Sequence, residues 1–371
     1  MLLEVLKSGK WGCMDGDKVK LFQEKFTQYM DAKFGLCVTN GTDALRIALK
    51  ATGVGQDHEV IIPPYTFLAT ATAVLDVGAA PIFVDIEPDT CNIDPEKIES
   101  AITPKTRAIM PVHIGGRPAD LDKILDLARK HNLVVIEDSC QAPASEWKNR
   151  KVGAIGDFGA ISFQSSKNIT SGEGGFILTN NEQLYDKAWS IHNCGRKRDG
   201  QWYEHRMIGS NVRMTEFQAA ILLAQLQRLP AQSKTRNENA ALLNTLLSPI
   251  EGIHLMRPDN RITANAYHIY IIRFDQKLFG GLPRDKFIEA LRAEGIPSGA
   301  GYVPLHQILA ENLDPARYPD YAAQSFPITE KTCSEEAVWI KQDILLGPPK
   351  DMHDIAAAIK KIQQHQRQLL T

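Results

Sequence analysis

Short apolar segments alternate with longer helical segments in the first part of the chain. The apolar segments are continuous, as in buried strands, and they are Leu36–Thr39, Val60–Ile62, Pro81–Val84, Ala108–Val112 and Val134–Ile136. The clearest intervening helix is Asp120–His131, which carries leucine and isoleucine at helical spacing. Because such alternation is typical of βαβ units, the sequence predicts an α/β fold with a mostly parallel sheet.

The pattern changes later in the chain, where the predicted helices become longer. Helices are predicted at Met214–Gln232 and Arg236–Ser248, and Pro230 is expected to kink or end the first. The segments predicted beyond them are the strand Tyr267–Phe274 and the helices Arg284–Glu294 and Asp354–Leu370. We therefore expect a large domain over residues 1–240 and a smaller C-terminal domain over residues 241–371.

One lysine, Lys167, lies on a serine-rich turn between the apolar runs Gly159–Phe163 and Phe176–Thr179, just before a glycine-rich stretch. A lysine held at a strand end in a partly closed setting can have a lowered pKa and act as a Schiff-base nucleophile. Taken alone, it is more often a solvated loop residue. Other segments of the chain decide between these interpretations.

The apolar run Leu133–Ile136 ends in Glu137 and Asp138, so a carboxylate follows a predicted strand. Ligands bind at the carboxyl ends of parallel strands. A carboxylate there can pair with a protonated heterocyclic nitrogen, as pyridoxal phosphate requires. Gln141, three residues later, can reach the same ligand. The alternative for Asp138 is an ordinary helix N-cap.

Two other junctions complete a candidate site. Gly41 and Thr42 stand between a short strand and a helix, where free N–H groups and the helix dipole suit a phosphate. Such a sequence also makes an ordinary turn and cap. Phe67 follows a Pro-Pro turn at the top of the sheet, where its ring can stack on a planar ligand, although core packing is the commoner role of a phenylalanine.

In their order along the chain, these segments resemble the DegT/StrS-type family of pyridoxal phosphate enzymes, also called nucleotide-sugar aminotransferases, which have fold type I. The segments that carry the resemblance are Asn40–Leu45, Pro63–Ala71, Pro111–Asp122, Ile136–Ala142, Phe158–Gly175, Gly209–Ala220 and Ala266–Phe274. The resemblance implies a mixed, mostly parallel seven-stranded sheet between helices, followed by a smaller C-terminal α+β domain. It also implies pyridoxal 5'-phosphate as cofactor.

The resemblance assigns a role to each candidate residue near the cofactor ring. Lys167 matches the lysine that forms a Schiff base with the cofactor and later transfers a proton. Asp138 matches the acid that keeps the ring nitrogen protonated, and Gln141 matches the residue near the phenolic oxygen. Phe67 matches the ring that stacks on the cofactor.

A second group of residues matches the phosphate site of the family. Gly41, Thr42 and Ser162 match positions that bind the cofactor phosphate. Asn211 matches an asparagine that reaches the phosphate of the neighbouring subunit, which implies a homodimer with shared active sites. The chain begins close to Ser8–Phe26, before which the family usually has a short extra stretch, so we expect either a shortened N-terminal arm or a start codon downstream of the usual one.

The resemblance also implies a reaction. Lysine at position 167, where a dehydrating branch of the family has histidine, favours transamination from L-glutamine or L-glutamate to a nucleotide-linked keto-sugar or a cyclitol ketone. Ser162-Phe163-Gln164 and His192–Asn211 are similar to the branch that contains scyllo-inosose aminotransferases and aminohydroxybenzoate synthases. The alternative is a dehydratase or an aromatising lyase such as aminohydroxybenzoate synthase.

Three further features remain as candidates. His113 and His306 stand in segments that can line a substrate pocket, although a lone histidine is more often structural. The basic cluster Cys194–Arg198 is either a solvated loop or a site for an anionic substrate.

The composition excludes several other classes of protein. The formal net charge is −2, so we expect neither nucleic acid nor membrane as partner. The six cysteines lack the spacing of a zinc site, so no metal is expected, and they indicate a reducing cytoplasm. No signal peptide or spanning segment is apparent.

Overall fold

The computed structural model describes residues 1–370. The strands are β1 (Phe34–Val38), β2 (Glu59–Ile62), β3 (Ala80–Phe83), β4 (Thr106–Ile109), β5 (Val134–Asp138), β6 (Glu146–Trp147), β7 (Arg150–Lys151), β8 (Phe158–Ser162), β9 (Gly175–Thr179), β10 (Ile253–His254), β11 (Ile262–Ala264), β12 (Ile269–Phe274), β13 (Ser298–Gly299) and β14 (Ala337–Lys341). The helices are α1 (Leu2–Ser8), α2 (Lys18–Tyr29), α3 (Gly41–Ala51), α4 (Ala69–Asp76), α5 (Pro95–Ile98), α6 (Leu121–His131), α7 (Glu182–His192), α8 (Glu216–Leu247), α9 (Arg284–Ala293), α10 (Leu305–Asn312), α11 (Pro327–Lys331) and α12 (Pro349–Gln364).

A seven-stranded sheet with the order β1-β9-β8-β5-β4-β2-β3 forms the centre of the fold. Strands β3, β2, β4, β5 and β8 pair in parallel, whereas β9 is antiparallel to both β8 and β1. All five strands predicted in the first part of the chain are present, with ends that differ by a few residues. The predicted mixed, mostly parallel sheet is therefore confirmed.

Helices cover both faces of this sheet because alternate strand residues point to opposite sides. Leu36 and Val38 of β1 pack in the cluster that contains α3, α4 and α7, while Cys37 packs with α2 and α8. Ile61 and Ile109 face α6 on the far side. The predicted helix after Asp120 is α6, and Asp120 caps it by accepting a hydrogen bond from the Lys123 N–H.

The long helix α8 corrects one prediction. It is continuous from Glu216 to Leu247, where two helices were expected, and Pro230 does not end it. Pro230 is exposed, so the Leu226 carbonyl that loses its partner lies on the solvent side of the helix. Buried leucines before and after Pro230, such as Leu229 and Leu243, hold both halves against the protein.

A second sheet of antiparallel strands, with the order β10-β12-β14-β13, forms the C-terminal part of the structure. Its core contains residues of α9, α12 and the second half of α8, including Leu243 and Leu247. The predicted strand Tyr267–Phe274 corresponds to β12. The predicted final helix begins earlier, at Pro349, and ends at Gln364, because Pro349 fits the first turn of a helix.

Two successive carboxylates close β5 and have different environments. Glu137 is fully buried and accepts hydrogen bonds from the backbone N–H groups of Gly153 (2.7 Å), Ile155 (2.8 Å) and Gly156 (2.6 Å). It also accepts one from His113 Nε2 (3.0 Å). Burial alone would raise the pKa of Glu137, but these donors outweigh it and lower the pKa. Asp138 instead lines a cavity.

Among residues 1–370, no helix combines the length and the apolar composition that crossing a bilayer requires.

Candidate active site

A cavity of about 690 Å³ lies at the carboxyl end of β5 and the beginning of α3. Parallel strands end at one edge of a sheet, and this edge is where α/β proteins bind ligands. Seven of the eight residues predicted for the site line the cavity, and they are Gly41, Thr42, Phe67, Asp138, Gln141, Ser162 and Lys167. Segments that are far apart in sequence therefore meet at one place.

Lys167 lies on the turn between β8 and β9 and is partly buried. Its own N–H donates to the Gln164 carbonyl (2.9 Å), and the next residue, Asn168, is tied through Nδ2 to the Ala266 carbonyl (2.7 Å). Within the described part of the chain, Nζ has no hydrogen-bond or ion-pair partner. Burial lowers the pKa of the Lys167 ammonium, although the charge of Asp138 acts in the opposite direction. The lowered pKa and the absence of a bonding partner on Nζ together make this amine available for chemistry.

Asp138 is 5% exposed, and its carboxylate faces the cavity. Thr70 Oγ1 donates to Oδ2 (2.8 Å), and the Cys140 N–H donates to Oδ1 (3.2 Å). These two bonds fix the direction of the carboxylate and leave lone pairs free. No helix begins after Asp138, so the alternative role of a helix N-cap does not apply.

The N-terminus of α3 faces the same cavity. Asn40 caps the helix by accepting a hydrogen bond from the Asp43 N–H (2.8 Å), which leaves the first two N–H groups, of Gly41 and Thr42, without intrahelical acceptors. A Cβ atom at position 41 would lie 2.9 Å from Ser162 Cβ and 2.8 Å from Cys140 Sγ. Glycine therefore allows the helix end to approach Ser162, and the junction forms an anion site.

Phe67 and Gln141 border the cavity in different ways. Phe67 is 62% exposed and lines the cavity, so it does not have the core role that is commoner for phenylalanine. Gln141 is buried, accepts a hydrogen bond from the Gly115 N–H through Oε1 (2.8 Å) and donates through Nε2 to the Tyr302 hydroxyl (2.8 Å). The orientation of its amide is therefore fixed, with the donor end towards Tyr302.

Together these groups match what pyridoxal 5'-phosphate needs from a protein. The cavity offers a lysine amine with a lowered pKa, a buried carboxylate, an anion site at a helix end and a free aromatic ring. Each corresponds to one part of the cofactor, namely the aldehyde, the ring nitrogen, the phosphate and the ring face. The residues present therefore fit this cofactor.

Asn211 is the one predicted site residue that the structure does not bring to the cavity. It is exposed and lies on a loop, where it forms an isolated bridge with Asn193. Its predicted role in a neighbouring subunit stays a prediction.

Sequence reasoning did not assign the other residues of the cavity wall, which include Thr70, His268, Tyr302 and Trp339. His268 is buried, its Nδ1 has no partner within residues 1–370, and burial lowers its pKa well below the usual range. Tyr302 and Trp339 pack edge to face with ring centroids 4.6 Å apart. His268 and Thr70 stand in segments that carry the family resemblance, but nothing in those segments distinguishes them. The other two come from the C-terminal part and are near the cavity only in the fold.

The two candidate histidines lie outside the cavity. His113 is fully buried, its Nδ1 accepts the Ala119 N–H (3.0 Å), and its Nε2 therefore carries the proton donated to Glu137. His306 is also buried, with Nε2 3.3 Å from a Glu330 oxygen. His113, with both ring nitrogens bonded, has the structural role that a lone histidine usually has, whereas Nδ1 of His306 has no partner among residues 1–370.

The basic cluster Cys194–Arg198 also lies outside the cavity. Arg198 pairs with Asp186 (2.9 Å) and Glu182 (3.3 Å), and Lys197 pairs with Glu204 (3.1 Å). The charges of Lys197 and Arg198 are therefore compensated locally, whereas Arg196 lies over the Trp202 ring, 5.5 Å from its centroid, and forms no ion pair among residues 1–370. A role of this cluster in binding an anionic substrate stays a prediction.

Comparison with known proteins places the chain in a family. The profile of the DegT/DnrJ/EryC1/StrS aminotransferase family matches residues 1–360. A putative L-glutamine:3-amino-2,3-dideoxy-scyllo-inosose aminotransferase of Streptoalloteichus tenebrarius is 40% identical over 378 residues, covering 98% of this chain and 91% of that protein.

Solved structures agree with this match. The structure of 3-amino-5-hydroxybenzoic acid synthase superposes with a TM-score of 0.88 at 33% identity, over 97% of this chain and 94% of the other. The structure of NtdA from Bacillus subtilis, solved with bound cofactor PMP, superposes with a TM-score of 0.84 at 28% identity, over 98% of this chain and 80% of the other. Family and neighbours imply pyridoxal phosphate or its amine form as cofactor. With a fold type I architecture, a fitting cavity and a match over almost its whole length, the chain belongs to the DegT/DnrJ/EryC1/StrS aminotransferase family and is a transaminase.

Proposed function

We propose that this aminotransferase transfers the amino group of L-glutamine, or of L-glutamate, to the ketone of a cyclitol or sugar, and that a cyclitol related to scyllo-inosose is the preferred acceptor. The observation that carries the proposal is the 40% identity, over almost the whole chain, to a protein named as a glutamine-dependent aminotransferase of such a cyclitol. Further relatives over 99% of this chain carry similar names, at 38% and 35% identity.

The charges of the cavity support a neutral acceptor. Among the described residues that line it, Lys167 is the one cationic side chain, whereas Asp43, Asp138 and Glu173 are carboxylates. The diphosphate of a nucleotide-linked sugar would find no arginine in this wall. Neutral hydrogen-bonding groups, such as those of Thr66, Gln164, Ser166 and Tyr302, suit the hydroxyl groups of a cyclitol.

The first set of proposed roles concerns the reacting end of the site. Lys167 Nζ would hold the cofactor at its aldehyde carbon and, when not so engaged, would move a proton between donor and cofactor. Asp138 keeps the ring nitrogen protonated, which its buried position and its bond from Thr70 favour. When bound, the cofactor supplies an electron sink and a carrier for the amino group.

The second set concerns binding. The N–H groups of Gly41 and Thr42 and the hydroxyl of Ser162 hold the phosphate. The exposed ring of Phe67 would hold the face of the cofactor ring, and the fixed amide of Gln141 would hold its phenolic oxygen. In this arrangement the amino group leaves the donor in one half-reaction and enters the acceptor in the other.

We further propose that two chains form a homodimer in which Asn211 serves the partner's site. The loop before Asn211 exposes Trp202 (76%), Tyr203 (75%) and Ile208 (97%), which is unusual for large apolar side chains. A second copy would cover them and would bring Asn211 close to a cofactor phosphate that its own chain does not reach.

The domain division proposed for the chain, residues 1–240 and 241–371, falls within α8. Leu222 and Leu229 of this helix pack with β9, whereas Leu243 and Leu247 pack with the C-terminal sheet. The helix thus contributes to both cores. All six cysteines are free thiols, which is in keeping with a proposed cytoplasmic location.

A second candidate function is that of a dehydratase or aromatising lyase. It is favoured by the likeness to 3-amino-5-hydroxybenzoic acid synthase, with a TM-score of 0.88. Such a reaction needs no stoichiometric amino donor, so release of keto acid from the donor distinguishes the two.

The test is an absorption spectrum of the purified protein with pyridoxal 5'-phosphate, before and after separate additions of L-glutamine and L-glutamate. We expect the band of the lysine-bound cofactor to shift when glutamine is added. A band that ignores both donors would reject the transaminase proposal and favour the lyase. Lys167→Ala is expected to lose the lysine-dependent band and the turnover, whereas Lys187→Ala, at an exposed position on α7, is expected to keep both.

A further inference from the structure

A second cavity, of about 270 Å³, lies between the loops of the seven-stranded sheet and the C-terminal sheet. The apolar part of its wall comes from Ile114, Met256 and Ile271, and the aromatic part from Tyr267 and Tyr270. The rings of Tyr267 and Tyr270 stack, with centroids 6.1 Å apart. This volume suits a small organic molecule better than a nucleotide.

Arg117 is the unusual residue of this wall. Its Nη2 donates to the Arg257 carbonyl (2.7 Å), but its Nε is buried and has no partner within residues 1–370. It forms no ion pair with any described residue. Burial lowers its pKa. A partly buried guanidinium without a counter-charge is costly, because buried charges are normally paired.

The carboxylates whose charges act on Arg117 are engaged with other arginines. Asp259 accepts from Arg261 through both oxygens, at 3.0 Å to Nε and 2.7 Å to Nη2. Glu87 pairs with Arg257 (2.9 Å). Asp259 lines the cavity as well, but its oxygens are bonded to Arg261, so Arg117 is a cation of the cavity wall that forms no ion pair of its own.

We propose that this cavity is a second ligand site, which binds a small organic monocarboxylate with an aromatic or branched apolar body. Arg117 holds the carboxylate through Nη1, which has no hydrogen-bond partner among residues 1–370, because a guanidinium N–H forms a charge-assisted bond with a carboxylate oxygen. The isoleucine and tyrosine side chains enclose the apolar body. An inorganic anion would leave this apolar surface unused.

The site is next to the catalytic cavity. Ile269 lines both cavities, and His268, its neighbour, lines the catalytic one. Tyr267, on the other side of His268, has φ of 46°, in the left-handed region that tyrosine rarely adopts. A ligand packed on Tyr267 therefore contacts the segment that forms the catalytic wall. Binding itself does not depend on the proposed reaction.

The experiment compares benzoate with benzamide, its neutral isostere, by isothermal titration calorimetry on the protein saturated with pyridoxal 5'-phosphate. We expect benzoate to bind about ten-fold more tightly or better, because only benzoate forms charge-assisted bonds with Arg117. Equal affinities of the two compounds would overturn the proposal. This comparison needs no variant, so it is decisive even if a substituted protein fails to fold.

Two variants locate the binding. Arg117→Gln is expected to reduce benzoate affinity about ten-fold and to leave benzamide unaffected. Arg107→Gln, at an exposed arginine of β4 outside this cavity, is the control and is expected to change little. Unchanged benzoate affinity in Arg117→Gln, a shift of the cofactor band by benzoate, or equally tight binding of inorganic phosphate would each reject the assignment.

Discussion

At the scale of single residues, the environment of each side chain decides its chemistry. Lys167 and Asp138 were predicted from the sequence because each stands at the end of an apolar run. Thr70, whose hydroxyl donates to the Asp138 carboxylate (2.8 Å), was not predicted. The two residues are 68 positions apart, and only the parallel pairing of strands brings them together. Residues that act directly can carry a local signal, whereas residues that orient them often carry none.

Asp138→Asn is expected to lower the rate of amino transfer roughly 100-fold or more, while cofactor and fold are retained. The amide keeps the size of the side chain but removes the charge that would hold the ring nitrogen protonated. Steady-state rates with cofactor content measured on the same samples check this. Asp126→Asn, at an exposed carboxylate on α6, is the control. A mild effect at position 138 would mean that another group holds the ring nitrogen.

His192 makes stability depend on pH. It is buried, its Nδ1 donates to the Trp189 carbonyl (2.5 Å), and burial lowers its pKa to about 4. In the unfolded chain its pKa is about 6.5, so between these values only the unfolded state takes up the proton. Stability is therefore expected to fall as the pH decreases through this window, by up to about 2 kcal/mol at pH 5.

The measurement is the free energy of unfolding in urea at pH 7 and at pH 5. His192→Gln is expected to show a smaller loss between these pH values than the unsubstituted protein. His353→Gln, at an exposed position, is expected to keep the full loss. If the His192 variant also shows the full loss of stability between pH 7 and pH 5, another group is responsible for it.

At the scale of elements, hydrophobic periodicity predicted the strands and most helices well, and α8 shows where it failed. A proline inside a helical pattern predicts an end because the local cost is about 3 kcal/mol relative to alanine. Here buried leucines on both sides of Pro230 pack against two different cores, which outweighs that cost. Local propensity contains no information about such packing.

Pro230→Ala is expected to stabilise the protein by about 1 kcal/mol or more, since it restores a helix-forming residue and a donor N–H at an exposed position. The urea midpoint at neutral pH measures this. Gln227→Ala, exposed nearly one turn earlier, is expected to change the midpoint little. A lower midpoint in the Pro230 variant would mean that the greater conformational entropy of its unfolded chain outweighs the gain in helix stability.

At the scale of the whole molecule, the sequence predicted the mixed sheet and most of the site, but not how the C-terminal part completes it. Tyr302 and Trp339 reach the cavity only because the C-terminal sheet packs beside it. Similarly, nothing in the sequence distinguishes Arg117 from other surface arginines. Contacts between distant segments depend on how the two sheets pack together, which periodicity does not describe.

The proposed shared sites can be tested with mixed dimers. Alone, Lys167→Ala chains are expected to be inactive and Asn211→Ala chains to be weakly active. Dimers that contain one of each are expected to recover about half of the normal activity, because one of the two sites then has both residues intact. If mixing restores nothing, Asn211 does not act across a subunit boundary. Mixed dimers purified through two different tags provide the measurement.

The adjacent carboxylates at the end of β5 imply that neighbouring positions tolerate mutation in different ways. Glu137 accepts hydrogen bonds from three backbone N–H groups and from a histidine. Its replacement therefore leaves buried donors without acceptors, which lowers the amount of folded protein in a cell. Asp138 accepts fewer hydrogen bonds from the protein, so we expect its replacement to leave the amount of folded protein unchanged and to remove turnover. A mutational scan scored for both quantities would separate the two positions, and a directed-evolution library aimed at new acceptors is best built with Glu137 held constant.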